Sequence, residues 1–329
     1  MTVAPTRHGR IRRCAEIPRC LLSRWQSQSP LGMGSILHFR PALPLAPRFG
    51  LVAPMSSTAG APDQPPPSSE PLLRPGDPPP FEIVNPDGAA RVVLIADHAG
   101  RAIPQALGTL GLGPAELARH IAWDIGIADV TRRLSKRLDA PAALAGYSRL
   151  VIDCNRKLGN PTSMAQESDH VAVPGNRGLT PAQRAQRVDA LFTPYHDAVT
   201  RILESRLRAG LVPALVSMHS FTPVMNGFER PWHIGILWNR DPRLPLPLMK
   251  RLAAEPGLTV GDNEPYSGRA EQGYSIYVHG QDLGIPHVLI EVRQDLIDTH
   301  HGAAEWAERI GNALADVLAD ASLYKVEHY

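Results

Sequence analysis

Two stretches decide the fold: VVLIADHAG, residues 92–100, and ALVSMHSFTP, residues 214–223. In each, aliphatic and β-branched residues run on and stop at a polar turn bearing a histidine, His98 in the first and His219 in the second. Such a run reads as a strand of a parallel sheet, buried on both faces. In open α/β sheets the ligand crevice lies beyond the carboxyl ends of the strands. His98 and His219 are therefore expected at neighbouring strand ends, facing one crevice.

Working outward, residues 80–98 read as a strand, a turn at Pro86-Asp87-Gly88 and the first buried strand. Pro114 opens a helical pattern that runs to about Leu138, in which His120 and Asp124, four apart, share one face. Residues 141–156 read as a strand or strand pair around AALAGYS, followed by the apolar run LVID. The polar segment 155–178 is too long for an ordinary connection and reads as a binding or lid loop. Thr180-Pro181 caps a helix that continues, in two pieces at Pro194, to about Arg208. Beyond the second organising strand come HIGILWN (233–239), a helix over 245–254, the strand IPHVLIEVRQD (285–295) and a closing helix over 302–320. Strands alternating with helices predict a single α/β domain of three layers, with a mostly parallel or mixed central sheet.

Composition bounds the rest. The chain has 329 residues and a formal net charge of +2, so nothing global points to nucleic acid. Residues 1–80 stand apart: they hold 16 of the 33 prolines and nine Lys/Arg against four Asp/Glu. Proline fixes φ and removes a donor, so this density predicts a disordered Pro/Arg-rich tail or a mis-set start, with the domain over 81–329. The first 25 residues have the Arg-rich, acid-poor look of a transit peptide or of a translated upstream region, and Met55 is a candidate initiator. Of the three cysteines, Cys14, Cys20 and Cys154, only the last lies in the body, where it reads as a small buried hydrophobe. No disulfide framework or CxxC metal site can be built from them. No apolar run approaches the ~20 residues needed to span a bilayer, so a soluble, cytoplasmic protein with no membrane partner is expected.

Three constellations carry chemistry. His98 and His219 can supply two ligands to a catalytic zinc, which keeps three protein ligands and one open position. Asp124 is the expected third ligand and His120, on the same helical face, its competitor; alternatively each histidine only hydrogen-bonds a loop. Glu291 follows the apolar run of HVLIEVRQD, where a carboxylate is costly unless paired, and suits a general base. Arg293, two residues on, shares its face in an extended chain, and the pair could equally be structural. In YSRLVIDCNRKLGNP, Arg149, Asn155 and Arg156 look like a clamp for an acidic substrate, since guanidinium forks match carboxylates, although arginines also populate ordinary surfaces. There is no dinucleotide-binding glycine motif, P-loop, nucleophile elbow or HExxH.

Taken together, DHAGRAIP, HIAWDIGIADV, YSRLVIDCNR, MHSFTP, GDNEPYSG and IEVRQDLI occur in the order found in the N-formylglutamate amidohydrolase family, which the chain resembles over roughly residues 80–320. The resemblance implies a phosphorylase/hydrolase-like fold related to zinc carboxypeptidases. It implies Zn2+ held by His98, Asp124 and His219, Glu291 as general base, and Asn155-Arg156 holding a substrate carboxylate; Arg149 and Arg293, from their positions beside these motifs, are expected around the substrate as well. The implied reaction is hydrolysis of an N-acyl amino acid, N-formyl-L-glutamate to formate and L-glutamate, within amino-acid metabolism. The sequence departs at Gly100-Arg101, where members often carry Ser-Asn and where carboxypeptidases place a ligating glutamate. A zinc carboxypeptidase or amidase acting on a peptide or cell-wall fragment, or a non-catalytic binder of acidic metabolites, remains open.

Overall fold

In the computed structural model, residues 70–270 and 273–329 are described. Most of the tail expectation, over residues 1–69, lies outside them. The strands are β1 (Phe81–Val84), β2 (Val92–Ala96), β3 (Ala142–Ala145), β4 (Glu167–Ser168), β5 (Val171–Ala172), β6 (Ala214–Phe221), β7 (Val224–Met225), β8 (Phe228–Glu229), β9 (Ile234–Leu237), β10 (Val260–Asp262) and β11 (His287–Arg293). The helices are α1 (Pro114–Leu117), α2 (Ile127–Leu138), α3 (Pro181–Arg187), α4 (Thr193–Arg208), α5 (Pro245–Ala253) and α6 (His300–Leu318). Seven strands form one sheet in the order β1-β3-β2-β6-β11-β9-β10. Most neighbours are parallel, while β1 against β3 and β9 against β11 are antiparallel. This is the mixed, mostly parallel α/β sheet expected.

Each central strand feeds both faces, as successive side chains in a pleated strand point to opposite sides. Val92, Leu94 and Ala96 of β2, Val216 and Met218 of β6, and Val288 and Ile290 of β11 join one apolar core. Against them pack Val130 and Leu134 of α2, Leu248 of α5 and Trp306, Ile310 and Leu314 of α6. The intervening residues Val93, Ile95 and Leu215 face Tyr195, Val199 and Leu203 of α4. The helix entering that second layer is fixed at its start by a reciprocal capping box between Thr180 and Gln183. Among the described residues no helix is long and apolar enough to cross a membrane.

One expected element is not formed. The long helix from Pro114 is broken: α1 ends at Leu117 and α2 begins only at Ile127. Gly126 enters α2 with φ of 80° and passes so close to Ile297 that a Cβ would stand 2.1 Å from its carbonyl oxygen. The backbone N–H of Asp124 instead donates to His98 O at 2.9 Å, tying this connection to the end of β2. His120 and Asp124 thus do not share a helical face. The apolar run LVID forms no strand, although Leu150, Val151 and Ile152 are buried. Side chains serve the carbonyls that a neighbouring strand would have served: Arg187 donates to Val151 O at 2.9 Å, and Asn176 to Leu150 O at 2.8 Å.

Candidate active site

The candidate site lies at the carboxyl ends of β2, β6 and β11, the three strands at the middle of the sheet. His98 stands two residues beyond the end of β2. His219 lies within β6 rather than after it, because the strand continues to Phe221. Glu291 is its register partner on β11. Asp124 comes from the connection ahead of α2 and is held there by three contacts besides those to the imidazole rings. Its Oδ2 accepts from Ser220 N at 3.2 Å and its Oδ1 from Arg149 at 3.4 Å, while its own N–H is bonded to His98 O.

Both imidazoles face Asp124 with the same nitrogen. His219 Nδ1 is 2.9 Å from Asp124 Oδ2, and His98 Nδ1 is 3.5 Å from that oxygen. Behind each ring stands another buried carboxylate: Asp153 Oδ1 at 2.7 Å from His98 Nε2, and Asp97 Oδ2 at 3.2 Å from His219 Nε2. Those carboxylates favour N–H at Nε2, which leaves the Nδ1 lone pairs directed at Asp124. Lone pairs aimed at a carboxylate repel it unless a cation lies between them. His98 Nδ1 indeed has no hydrogen-bond partner among the described residues. The ligating atoms of His98, Asp124 and His219 all lie within 4.8 Å of one another. Two imidazoles and one carboxylate, oriented by outer carboxylates, fit a zinc-type divalent ion. His120, the competing third ligand, stands instead beside Asp169, 3.5 Å away.

The charges tell the same story. Burial works to raise Asp97 and Asp124, but hydrogen bonds and charge from His219 and His98 outweigh it and hold both carboxyls below the usual range. Burial likewise acts to raise Asp153, and Arg149 and His98 overcome it. Burial works to lower His219, yet hydrogen bonds to Asp124 and Asp97 raise it to about 10. The site draws positive charge into the space between these groups, as a proton or as a metal ion. Glu291 goes the other way: burial, supported by the charge of Asp124, pushes it up to about 7 against the pull of His219. Its Oε2 is buried without a hydrogen-bond partner among the described residues.

The site opens into a cavity of about 760 Å³. Of the expected substrate residues, Arg149, Asn155 and Arg156 line it. Arg149 is taken up by Asp153 at 2.8 Å and by Asp124. Arg156 has no carboxylate partner among the described residues; its Nη1 donates to Asn155 O at 2.9 Å. Asn155 Oδ1 accepts the backbone N–H of Tyr274 and Ser275, which fixes the amide in place. Arg293 does not line the cavity: it pairs with Asp295 at 2.9 Å and donates to Arg230 O. The segment 155–178 supplies one wall through the β4–β5 hairpin and the β7–β8 hairpin another, their tips meeting where His170 Nε2 is 3.4 Å from Asn226 Oδ1.

Sequence reasoning missed the outer carboxylates. Asp97 gathers Tyr195 at 2.9 Å and Ser275 at 2.7 Å in addition to His219. The signal available for it was the adjacency Asp97-His98 at the end of an apolar run, and Asp153 likewise closes the LVID run. Tyr266, in GDNEPYSG, also lines the cavity, and its hydroxyl accepts from Arg230 at 3.3 Å.

Fold and site together define an α/β protein with a mixed, mostly parallel sheet and a buried His–Asp–His group at the carboxyl ends of its central strands. The sequence model of the N-formylglutamate amidohydrolases matches residues 90–298, and the chain belongs to that family, a family of hydrolases. A crystal structure of a gene product from Agrobacterium tumefaciens is similar at TM-score 0.74 and 34% identity, over 76% of this chain and 99% of that one. That of N-formylglutamate amidohydrolase from Ralstonia eutropha shares the fold at TM-score 0.56 and 20% identity, over 72% and 97%. No curated protein matches the chain.

Proposed function

We propose that residues 81–329 form a metal-dependent amidohydrolase that cleaves the N-acyl bond of a small N-acyl amino acid. The observation that carries this reading is the register of Glu291 with His219, which sets a buried carboxylate of raised pKa beside the His–Asp–His group and within the cavity. His98, Asp124 and His219 would hold the ion, which when bound polarises the scissile carbonyl and acidifies water.

The rest is the work of the chain's own side chains. Glu291 takes a proton from the attacking water as its oxygen bonds to the acyl carbon. It returns that proton to the nitrogen as the C–N bond breaks, leaving a carboxylate and a free amino acid. A base of pKa near the working pH suits both transfers. Asn155 and Arg156 hold the substrate carboxylate, so that attack becomes effectively intramolecular. The two hairpins narrow the mouth and limit bulk water.

Hydrolysis of N-formyl-L-glutamate and related N-acyl amino acids, before and after chelation and with metal content determined on the same sample, tests this. Stoichiometric zinc or a similar ion with chelator-sensitive turnover is expected. Protein without bound metal and without turnover of any N-acyl amino acid would overturn it.

A further inference from the structure

Arg230 is a buried cation that the amidohydrolase reading leaves unused. It is 7% exposed and has no carboxylate partner among the described residues. Burying a guanidinium without a counter-charge is costly unless its N–H groups find acceptors. Its Nη1 reaches three neutral oxygens: Thr222 O at 3.3 Å, Thr222 Oγ1 at 3.5 Å and the Tyr266 hydroxyl at 3.3 Å. Its Cζ lies 5.0 Å from the centre of the Tyr266 ring and 5.7 Å from that of Phe221, within range of cation–π attraction. Its backbone is tied on both sides, the N–H donating to Pro223 O at 2.8 Å and the carbonyl accepting from Arg293 at 3.3 Å. Tyr266 lines the cavity and Arg230 does not, so the cation is fixed behind the phenol.

Tyr266 is held from its own side as well. Asn263 Oδ1 accepts Trp238 N at 3.1 Å and Gly268 N at 2.8 Å, while Asn263 N donates to Ile236 O at 3.0 Å. Both ends of the segment 263–268 are thereby pinned to the end of β9. Gly268 packs so tightly there that a Cβ would stand 2.6 Å from Trp238 N. The phenol is presented by a rigid loop rather than by a mobile one.

A guanidinium can only donate, so Arg230 occupies a lone pair of the phenol oxygen and leaves the O–H to point elsewhere. That O–H has no acceptor among the described residues. Burial raises the Tyr266 pKa and the charge of Glu291 adds to the rise, while Arg230 acts against it. The phenol therefore keeps its proton, close enough to Glu291 to feel its charge. Whichever way the rest of a substrate points, its acyl group must come beside that base to be attacked.

We propose that Tyr266 is a further catalytic residue whose hydroxyl donates a hydrogen bond to the acyl oxygen as negative charge gathers there, and that Arg230 is the positioning residue that aims it. This rests on the amidohydrolase reading and adds two residues to its machinery. As the water oxygen bonds to the acyl carbon, Glu291 takes the water proton and the carbonyl electron pair moves onto the acyl oxygen. Tyr266 keeps its own proton and shares it with that oxygen. The pair then returns to the carbon, the C–N bond breaks and Glu291 passes its proton to the nitrogen. A donor already in place when the charge develops lowers the barrier without tightening ground-state binding.

The test uses the metal-loaded full chain and the best substrate in a panel of N-formyl amino acids that includes N-formyl-L-glutamate. Tyr266→Phe keeps the ring and is expected to lower kcat on the order of 10²-fold with KM little changed. Calorimetry supplies a readout apart from turnover. Tyr266→Phe should weaken binding of the methylphosphonamidate of the same amino acid, whose charged oxygen stands in for the acyl oxygen, by about tenfold or more. Binding of the free amino acid should not change. Arg230→Met should lower kcat in the wild-type background and have no further effect on kcat in Tyr266→Phe. A kcat within twofold of wild type in Tyr266→Phe, or a rise in KM alone, overturns the proposal and leaves the amidohydrolase reading standing. Equal losses from Arg230→Met in both backgrounds reduce Arg230 to a structural cation and overturn its part. Turnover of no member of the panel by the wild-type protein overturns the amidohydrolase reading and the proposal with it.

Discussion

The two faces of the sheet bury different chemistry, although the same three strands feed both. On the face covered by α2, α5 and α6, β2, β6 and β11 present aliphatic side chains and Met218, with Ser220 the one polar residue, at the carboxyl end of β6. On the other, the alternate positions of β2 and β6 begin apolar and turn polar towards the carboxyl ends, Val93, Ile95, Asp97 and Leu215, Ser217, His219, while β11 sets Leu289 between His287 and Glu291. One face is a closed core. The other carries a buried polar chain through Asp97, Tyr195 and Ser275 to the candidate site. Stability and chemistry are thus separated by one residue of register, since the side-chain period is two.

Substitutions on the two faces should fail in different ways. Glu291→Gln, on the polar face, is expected to lower kcat by about 10²–10⁴-fold while metal content and the unfolding midpoint are kept, because it removes the base but leaves the ligands. Near-normal turnover would break the separation at its centre. Leu94→Ala, fully buried on the closed face, should do the reverse. It should cost about 2–5 kcal/mol in denaturant unfolding, with kcat per folded molecule unchanged. A loss of turnover at temperatures well below its melting transition would show that the faces are coupled.

Asp97→Asn probes how far the polar chain supports the metal group. Removing the charge behind His219 should weaken metal affinity by about 10–100-fold in chelator competition, whereas an unchanged affinity would reduce Asp97 to packing. The smallest effect concerns His196 and His279, which stack on the same face. His279 Nε2 donates to His196 Nδ1 at 2.9 Å and His196 Nε2 to Cys154 O at 2.9 Å. Burial lowers them to about 4 and about 3. The unfolded chain binds more protons than the folded one between the ordinary value of 6.5 and these values. Their contribution is therefore complete above pH 6.5 and declines as pH falls below it. His279→Gln should flatten the fall in stability between about pH 6.5 and 5 by up to about 1.4 kcal/mol per pH unit. An unchanged slope would mean the pair is already hydrated.

Local pattern was enough for the site's skeleton. A histidine ending an apolar run is conspicuous because such strands are otherwise free of polar groups, and both His98 and His219 come together as expected. Glu291 was legible for the same reason. Arg293 was assigned from its spacing alone, and spacing gave no view of Asp295, which takes its guanidinium.

What the sequence by itself determined is the alternation of strands and helices, the class of sheet and the residues on which the candidate chemistry rests. Periodicity is written in neighbouring residues and needs no partner to be read. What only the tertiary structure decided is which groups meet. Asp124 left the helix its spacing suggested because its N–H found His98 O. LVID became a buried turn because Arg187 and Asn176 reached its carbonyls. Asp97 and Asp153 became the supports of two imidazoles 122 and 55 residues away. Buried polar groups must find partners wherever in the chain these lie, and that search is settled by the folded whole.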